Sequence, residues 1–300
     1  MQSSANAPGP ERGLEGSNPS LPAAQASDDL EPMTDRDIAW AAGFFEGEGT
    51  VSGYLPRHRR TRTVQVAAYQ GTQDGPPLLL QRFRDALGCG GIVGPYRGRL
   101  FHWTTKRIES VETTCRVLWS DLSPERREQF ARAFRGSERW EHFGRDLAAH
   151  SSRSHTRMRE LAWAAGLFDA EGSIHTSRYP RLELAQASQT GQPHSSLLRF
   201  HAAVGGIGRV SGPRTLKSDW SRLPQFRWEA SSFETVQAVL ALLWNDLGAV
   251  KRSDARRALD RKSRTDRRGG TPRRGDSQRG APILSYSPSG RSTSPAGTFG

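Results

Sequence analysis

A nine-residue stretch occurs twice in this chain, first as Ala41-Ala42-Gly43-Phe44-Phe45-Glu46-Gly47-Glu48-Gly49 and again as Ala164-Ala165-Gly166-Leu167-Phe168-Asp169-Ala170-Glu171-Gly172. The chain therefore reads as two versions of one unit. Each copy extends N-terminally as a helical pattern, Asp37-Ile38-Ala39-Trp40 and Glu160-Leu161-Ala162-Trp163, and stops at a glycine, a common residue just past a helix end. Ala39, Gly43 and Gly47 are spaced four apart, as are Ala162, Gly166 and Ala170, so each helix carries a ridge with little or no side chain along one face. Two such ridges let two helix backbones approach closely. Glu48 and Glu171 then fall in the last turn, where a carboxylate is destabilised by a few tenths to about 1 kcal/mol unless something positive lies beside it. Packing the ridges brings both carboxylates out side by side, an arrangement that suits divalent cations and their preference for oxygen ligands.

The two nonapeptides resemble the paired signature helices of LAGLIDADG homing endonucleases, in the form that carries both repeats in one chain. The resemblance implies an α+β fold: two pseudo-symmetric αββαββα repeats, signature helices packed at the interface, and two antiparallel sheets forming a DNA-binding saddle. It makes Glu48 and Glu171 the catalytic metal ligands for Mg²⁺, with Mn²⁺ able to substitute, and places Gly47 and Ala170 beside them in the metal site. Both positions carry Glu where the motif name has Asp, which keeps the charge and lengthens the arm. The implied activity is site-specific double-strand cleavage of a long, pseudo-palindromic DNA site by metal-dependent phosphodiester hydrolysis. The alternative is a non-cleaving DNA-binding regulator, or an RNA splicing maturase, on the same scaffold. A protein that has abandoned cleavage is expected to lose one or both acids, and both are present.

Composition agrees with a polyanionic partner. The chain holds 43 Lys and Arg, has a net charge of +12 and a pI near 10.7. Residues 1–34 carry a net −4, residues 251–300 a net +9, and the remainder +7. Nucleic acid is expected before membrane, because no amphipathic basic helix or long apolar run is visible. Double-stranded DNA is the expected partner, RNA in the maturase case, and one chain with internal pseudo-twofold symmetry leads us to expect a monomer. Cys89 and Cys115 are the only cysteines, too few for a disulfide framework or zinc cluster. With no signal peptide or membrane span visible, an intracellular, reducing compartment is expected, such as the cytoplasm of a bacterium or a phage-infected cell.

In chain order, residues 1–33 read as a disordered leader, 34–136 as the first repeat, 137–156 as a linker, 157–252 as the second repeat and 253–300 as a disordered basic tail. Thr34 is the expected cap of the first signature helix. Residues 50–55 and 63–69 read as paired strands around a loop that holds Arg57, His58, Arg59, Arg60 and Arg62. A ribbon with such a tip could enter a major groove. Gln65 on the adjoining strand, and Arg178, Arg181 and Glu183 in the other half, complete the expected DNA contacts.

Gln70 closes the second strand and Gln189 the matching strand at 181–188. The resemblance makes both candidates for positioning metal-bound water; equally, they are DNA-facing strand polars. Arg126 and Lys251 stand at matching places, four residues after Leu122 and Leu247. The resemblance puts a basic residue there beside the cleavage centre, and a solvated helix-start charge explains either one alone equally well. Copy-to-copy spacing runs from 123 (Glu48 to Glu171) to 119 (Gln70 to Gln189) to 125 (Trp103 to Trp228), which places insertions in loops.

Overall fold

A computed structural model describes residues 34–57, 61–72, 75–150, 155–176, 179–214 and 223–269, with the side chains of His150 and of residues 261–269 left aside. The two signature helices are α1 (Asp35–Glu48) and, in the second half, α6 (Arg157–Glu171). Their starts are set by the side chains of Thr34 and Thr156, which accept from the backbone N–H of Asp37 at 3.1 Å and of Arg159 at 3.3 Å. Their glycine stops work differently from the expected cap. Gly49 and Gly172 are extended, at φ −74° and −70°, so left-handed backbone is not the requirement. A Cβ at Gly49 would lie 2.3 Å from the Phe45 carbonyl oxygen, and one at Gly172 would lie 2.4 Å from the Phe168 ring. Close approach selects glycine there.

Each half wraps its helices on one face of a four-stranded antiparallel sheet. The first sheet holds β1 (Gly49–Tyr54), β2 (Thr63–Gly71), β3 (Gly91–Tyr96) and β4 (Leu100–Thr105) in the order β1-β2-β4-β3. The second holds β5 (Gly172–His175), β6 (Arg181–Ala187), β7 (Arg209–Arg214) and β8 (Gln225–Ala230) in the matching order β5-β6-β8-β7. Alternation sorts the two faces: Val64, Val66, Ala68, Phe101 and Trp103 are buried towards the helices, as are Leu182, Leu184, Phe226, Trp228 and Ala230. Between the strands run α2 (Leu78–Leu87) and α7 (Ser195–Ala203); after them come α3 (Ile108–Leu118) and α8 (Phe233–Leu243), then α4 (Pro124–Phe134) and α9 (Ala249–Gly269). The helix–strand–strand–helix–strand–strand–helix order expected for each half is the observed one, and Trp40, Trp103, Trp163 and Trp228 lie wholly inside.

The small ridges of α1 and α6 face each other. A Cβ on Gly43 would stand 1.9 Å from the carbonyl oxygen of Trp163, and one on Gly166 would stand 2.0 Å from that of Trp40. Only residues without a side chain let the backbones come this close. Two ion pairs, one half-buried and one buried, fix the opposite ends: Arg36 bonds both oxygens of Asp246 at 2.6 and 2.9 Å, and Arg159 reaches Asp121 at 2.6 Å. Each pair joins the start of one signature helix to the other half. Arg82 and Arg199 lie over the Trp40 and Trp163 rings at 4.0 and 4.1 Å, repeating the symmetry.

Two expected boundaries change. The stretch read as a linker contains α5 (Glu138–His150), whose Trp140, Phe143 and Leu147 are buried and whose Trp140 ring stacks on Phe134 at 5.4 Å. The stretch read as a tail begins inside α9, and Ala255 and Ala258 are wholly buried. The leader and residues 270–300 lie outside the described residues. Among the described residues no helix is long and apolar enough to cross a membrane.

Candidate active site

The packed ridges deliver one acid from each half to the same end of the helix pair. Beside them Gly47 and Ala170 meet across the interface: a Cβ on Gly47 would lie 2.5 Å from that of Ala170 and 2.7 Å from Cγ of Glu171. Burial, with the neighbouring charge of Glu171 adding to it, pushes the Glu48 carboxyl up to about 7, against a hydrogen bond from Gln70 and the charge of Lys251. Burial also raises Glu171, the more open of the two, and Arg126 and Lys251 pull it back. Gln70 donates its side-chain N–H to Oε1 of Glu48 at 3.0 Å.

The basic residues reach this end from α4 in the first half and α9 in the second. Arg126 on α4 donates Nη1–H to the Gly49 carbonyl at 2.6 Å and Nη2–H to the Glu46 carbonyl. Lys251 on α9 donates its ammonium to the Gly172 carbonyl. Each cation therefore occupies the carbonyl end of its own half's signature helix, where the backbone dipole is negative. Burial lowers the pKa of both side chains, and Glu171 acts against this in each case.

The acid two positions before each metal-ligand candidate has a separate task that sequence reasoning missed. Oε1 of Glu46 accepts from the backbone N–H of Ser123 at 2.5 Å, and Oε2 accepts from the Ser123 hydroxyl at 2.9 Å. Ser123 in turn caps α4 by accepting from the Arg126 N–H at 3.1 Å. In the second half both oxygens of Asp169 accept from the backbone N–H of Gly248, at 3.0 and 2.8 Å, at the start of α9. Both acids are buried, which raises Glu46 and pushes Asp169 up to about 6. The only sequence signal was their recurrence within the repeated motif.

Oxygen-rich surroundings fit a hard divalent cation. Two carboxylates meet at a site whose burial and mutual repulsion work against their charge, and a cation would relieve both. Among the described residues no group of three or more His, Cys, Asp or Glu side chains could hold a metal. An ion held by Glu48 and Glu171 would need further oxygen ligands from backbone carbonyls, water or substrate.

The remaining candidates fall in different places. Strand register sets Gln70 opposite Phe101 and Gln186 opposite Phe226, so Gln186 occupies the place expected for Gln189. Gln189 is exposed in the turn after β6, and Gln186 accepts from the Ser196 hydroxyl at 3.0 Å. Arg62, expected at DNA, is tied into the protein instead: Nε donates to the Ala133 carbonyl at 2.9 Å and Nη2 to the Gly53 carbonyl at 2.8 Å. Arg57 is exposed at the start of the loop, and Gln65 donates to the Thr104 hydroxyl at 3.1 Å. Arg181 lies on the open sheet face beside Glu183, which is 9% exposed and enclosed by basic side chains. Glu183 is therefore an ion-pair acceptor before it is anything else. His58, Arg59, Arg60 and Arg178 lie outside the described residues.

No family model matches this chain, and the search of curated proteins gives no match. Solved structures are similar to it over most of its length. The LAGLIDADG meganuclease I-AabMI bound to uncleaved DNA is 14% identical with a TM-score of 0.54, over 77% of this chain and 92% of that one. The LAGLIDADG homing endonuclease I-GzeII in complex with DNA target is 14% identical with a TM-score of 0.50, over 78% and 93%. The LAGLIDADG meganuclease I-CpaMI bound to uncleaved DNA is 10% identical with a TM-score of 0.50, over 77% and 92%. At these identities the likeness is one of fold: the chain has the fold of the LAGLIDADG homing endonucleases, with both repeats in a single polypeptide.

Proposed function

We propose that this chain is a site-specific double-strand DNA endonuclease, working as a monomer whose two halves each address one strand. The observation that carries the reading is the meeting of Glu48 and Glu171 at one end of the α1–α6 interface, with a cation from each half behind them. Glu48 and Glu171, with the carbonyls of Gly47 and Ala170, would hold Mg²⁺ or Mn²⁺. The ion supplies a Lewis acid and lowers the pKa of bound water. Gln70 orients the Glu48 carboxylate through its donated N–H. Arg126 and Lys251 present positive charge where phosphate oxygens gather charge in the transition state. The open sheet faces and the net charge of +12 suit a duplex crossing both halves.

Incubating the protein with a randomised duplex library in Mg²⁺, then sequencing the fragment ends, tests the reading. Ends that fall at one position within a shared sequence are the expected result. Specific binding without cutting, in Mg²⁺ or Mn²⁺, would leave a regulator or maturase in its place.

A further inference from the structure

The open faces of the two sheets differ in chemistry well beyond their loops. On the second sheet Glu183 faces Glu229 across the β6–β8 ladder, a like-charge pair that repels unless neutralised. Two guanidiniums and an imidazole from three strands surround Glu183: Nη1 of Arg227 at 2.5 Å and Nη2 of Arg181 at 2.8 Å supply the neutralising charge, and Nε2 of His175 lies at 2.6 Å. A guanidinium carries five N–H donors in a fixed fork, so a contact through one Nη leaves each arginine a free donor edge. The Arg181 and Arg227 side chains remain 40% and 28% exposed; Nε of Arg181 is buried without an acceptor, so the edge Arg181 has to offer is the one formed by its two terminal nitrogens.

Register identifies the equivalents on the first sheet. Ala67 pairs with Thr50 as Glu183 pairs with Ser173, and His102 pairs with Tyr69 as Arg227 pairs with Ala185. The carboxylate is replaced by a methyl group and the arginine by an imidazole, whose pKa is lowered by burial and by Lys106. Tyr69 and Tyr96 flank that ring at 5.4 and 5.0 Å. Alongside them Val93, Tyr96 and Leu100 expose 43%, 47% and 40% of their surface. Grouped exposed apolar side chains mark a contact surface, and the apolar group that B-DNA offers in its major groove is the thymine methyl.

We propose that the two sheets read their half-sites by different chemistry: Arg181 and Arg227, aimed by Glu183, select G·C pairs under the second sheet, while Val93, Tyr96 and Leu100 select A·T pairs under the first. Arginine meets the O6 and N7 acceptors of guanine with two parallel donors, which requires a fixed guanidinium plane. Glu183 supplies that fixation as a positioning residue. The proposal deepens the DNA-binding reading above and rests on it.

The test is a binding selection with the full-length protein on random duplex DNA in Ca²⁺, followed by affinity measurements on the selected site. One half-site should be enriched in G·C and the other in A·T. Arg181→Gln and Arg227→Gln should each lose roughly ten- to a hundred-fold of discrimination at one G·C pair, since a bidentate contact is worth about 1–3 kcal/mol. Neither should alter the A·T half. Glu183→Gln should blunt both G·C preferences while non-specific affinity holds or rises, whereas a purely structural role would weaken both halves together. Replacing thymine by uracil in the A·T half should lower the affinity of the unaltered protein several-fold, and this arm stands even if a variant fails to fold. Equal base preferences in the two halves, or no effect of uracil, would overturn the proposal while leaving the endonuclease reading intact. Absence of any sequence-specific binding would overturn both.

Discussion

The backbone N–H of Ser123 donates to Oε1 of Glu46 at 2.5 Å, so an acid of the signature helix holds the start of the helix that carries Arg126. Asp169 and Gly248 repeat the relationship for Lys251. In each half one short acidic motif thus does two things: its last acid enters the candidate metal site, and the acid two before it sets where the cation arrives.

Glu46→Ala removes the acceptor for two buried Ser123 donors and the carboxyl 4.0 Å from Arg126. The expected loss is about 1–3 kcal/mol of stability, because the Ser123 N–H and hydroxyl are left buried without that acceptor. Glu128→Ala, whose partner Arg135 is 72% exposed, is the control and should stay within about 0.5 kcal/mol. Urea unfolding midpoints of the two variants against the parent check both.

The ridge packing makes a sharp contrast between glycines. Gly43→Ala drives a methyl against the Trp163 carbonyl at 1.9 Å, a backbone atom that cannot swing aside, and should cost about 3 kcal/mol or more. Gly71→Ala meets nothing nearer than 3.9 Å and should be close to neutral. Thermal melts of both variants decide it.

These glycines show what the sequence makes legible. The doubled motif, its spacing of four and the acids at its end are short-range patterns, and they lead directly to the helix pair and to Glu48 and Glu171. Register across hairpins of unequal length is not short-range. Gln70 and Gln186 are 116 apart, against 123 for the acids, because the β1–β2 hairpin is longer than the β5–β6 hairpin in its strands as well as its loop. That difference hides Gln186 and makes Gln189 look equivalent. Helix α9 escaped notice because, among its described side chains, Ala255 and Ala258 are the wholly buried ones in a strongly charged sequence, a weak apolar signal. Arg62 reads as a DNA contact from charge alone, since nothing local reveals that the Ala133 and Gly53 carbonyls await it.

Two buried tryptophans at matching places should respond differently to substitution. Nε1–H of Trp40 donates to Oδ2 of Asp169 at 2.9 Å, whereas Nε1–H of Trp163 has no acceptor, its matching acid Glu46 being engaged with Ser123. Trp40→Phe should therefore cost about 1–3 kcal/mol more than Trp163→Phe. Equal losses in chemical denaturation would mean that packing alone governs both sites.

Without metal, Glu48 should make stability fall as pH rises from about 4.5 to about 7. Over that interval the unfolded chain has released the proton that the folded carboxyl still holds, so deprotonation favours unfolding. Glu48→Gln should flatten this part of the profile. Binding of Mg²⁺, which needs the carboxylate, should strengthen over the same interval. Metal-free unfolding curves across this range, and titration calorimetry with Mg²⁺, supply the two readouts.

The most direct measurement compares cutting with binding on one selected site for the parent, Glu48→Gln and Glu171→Gln. Each change keeps the side-chain shape and removes a charge that recruits the cation. Metal-dependent cleavage should fall by at least about a hundred-fold in both variants, as for loss of a group that acts on the transition state, while DNA affinity holds or tightens through lost repulsion with phosphate. Cleavage that persists in either variant at the parent's rate would contradict the assignment of these two acids as the catalytic pair.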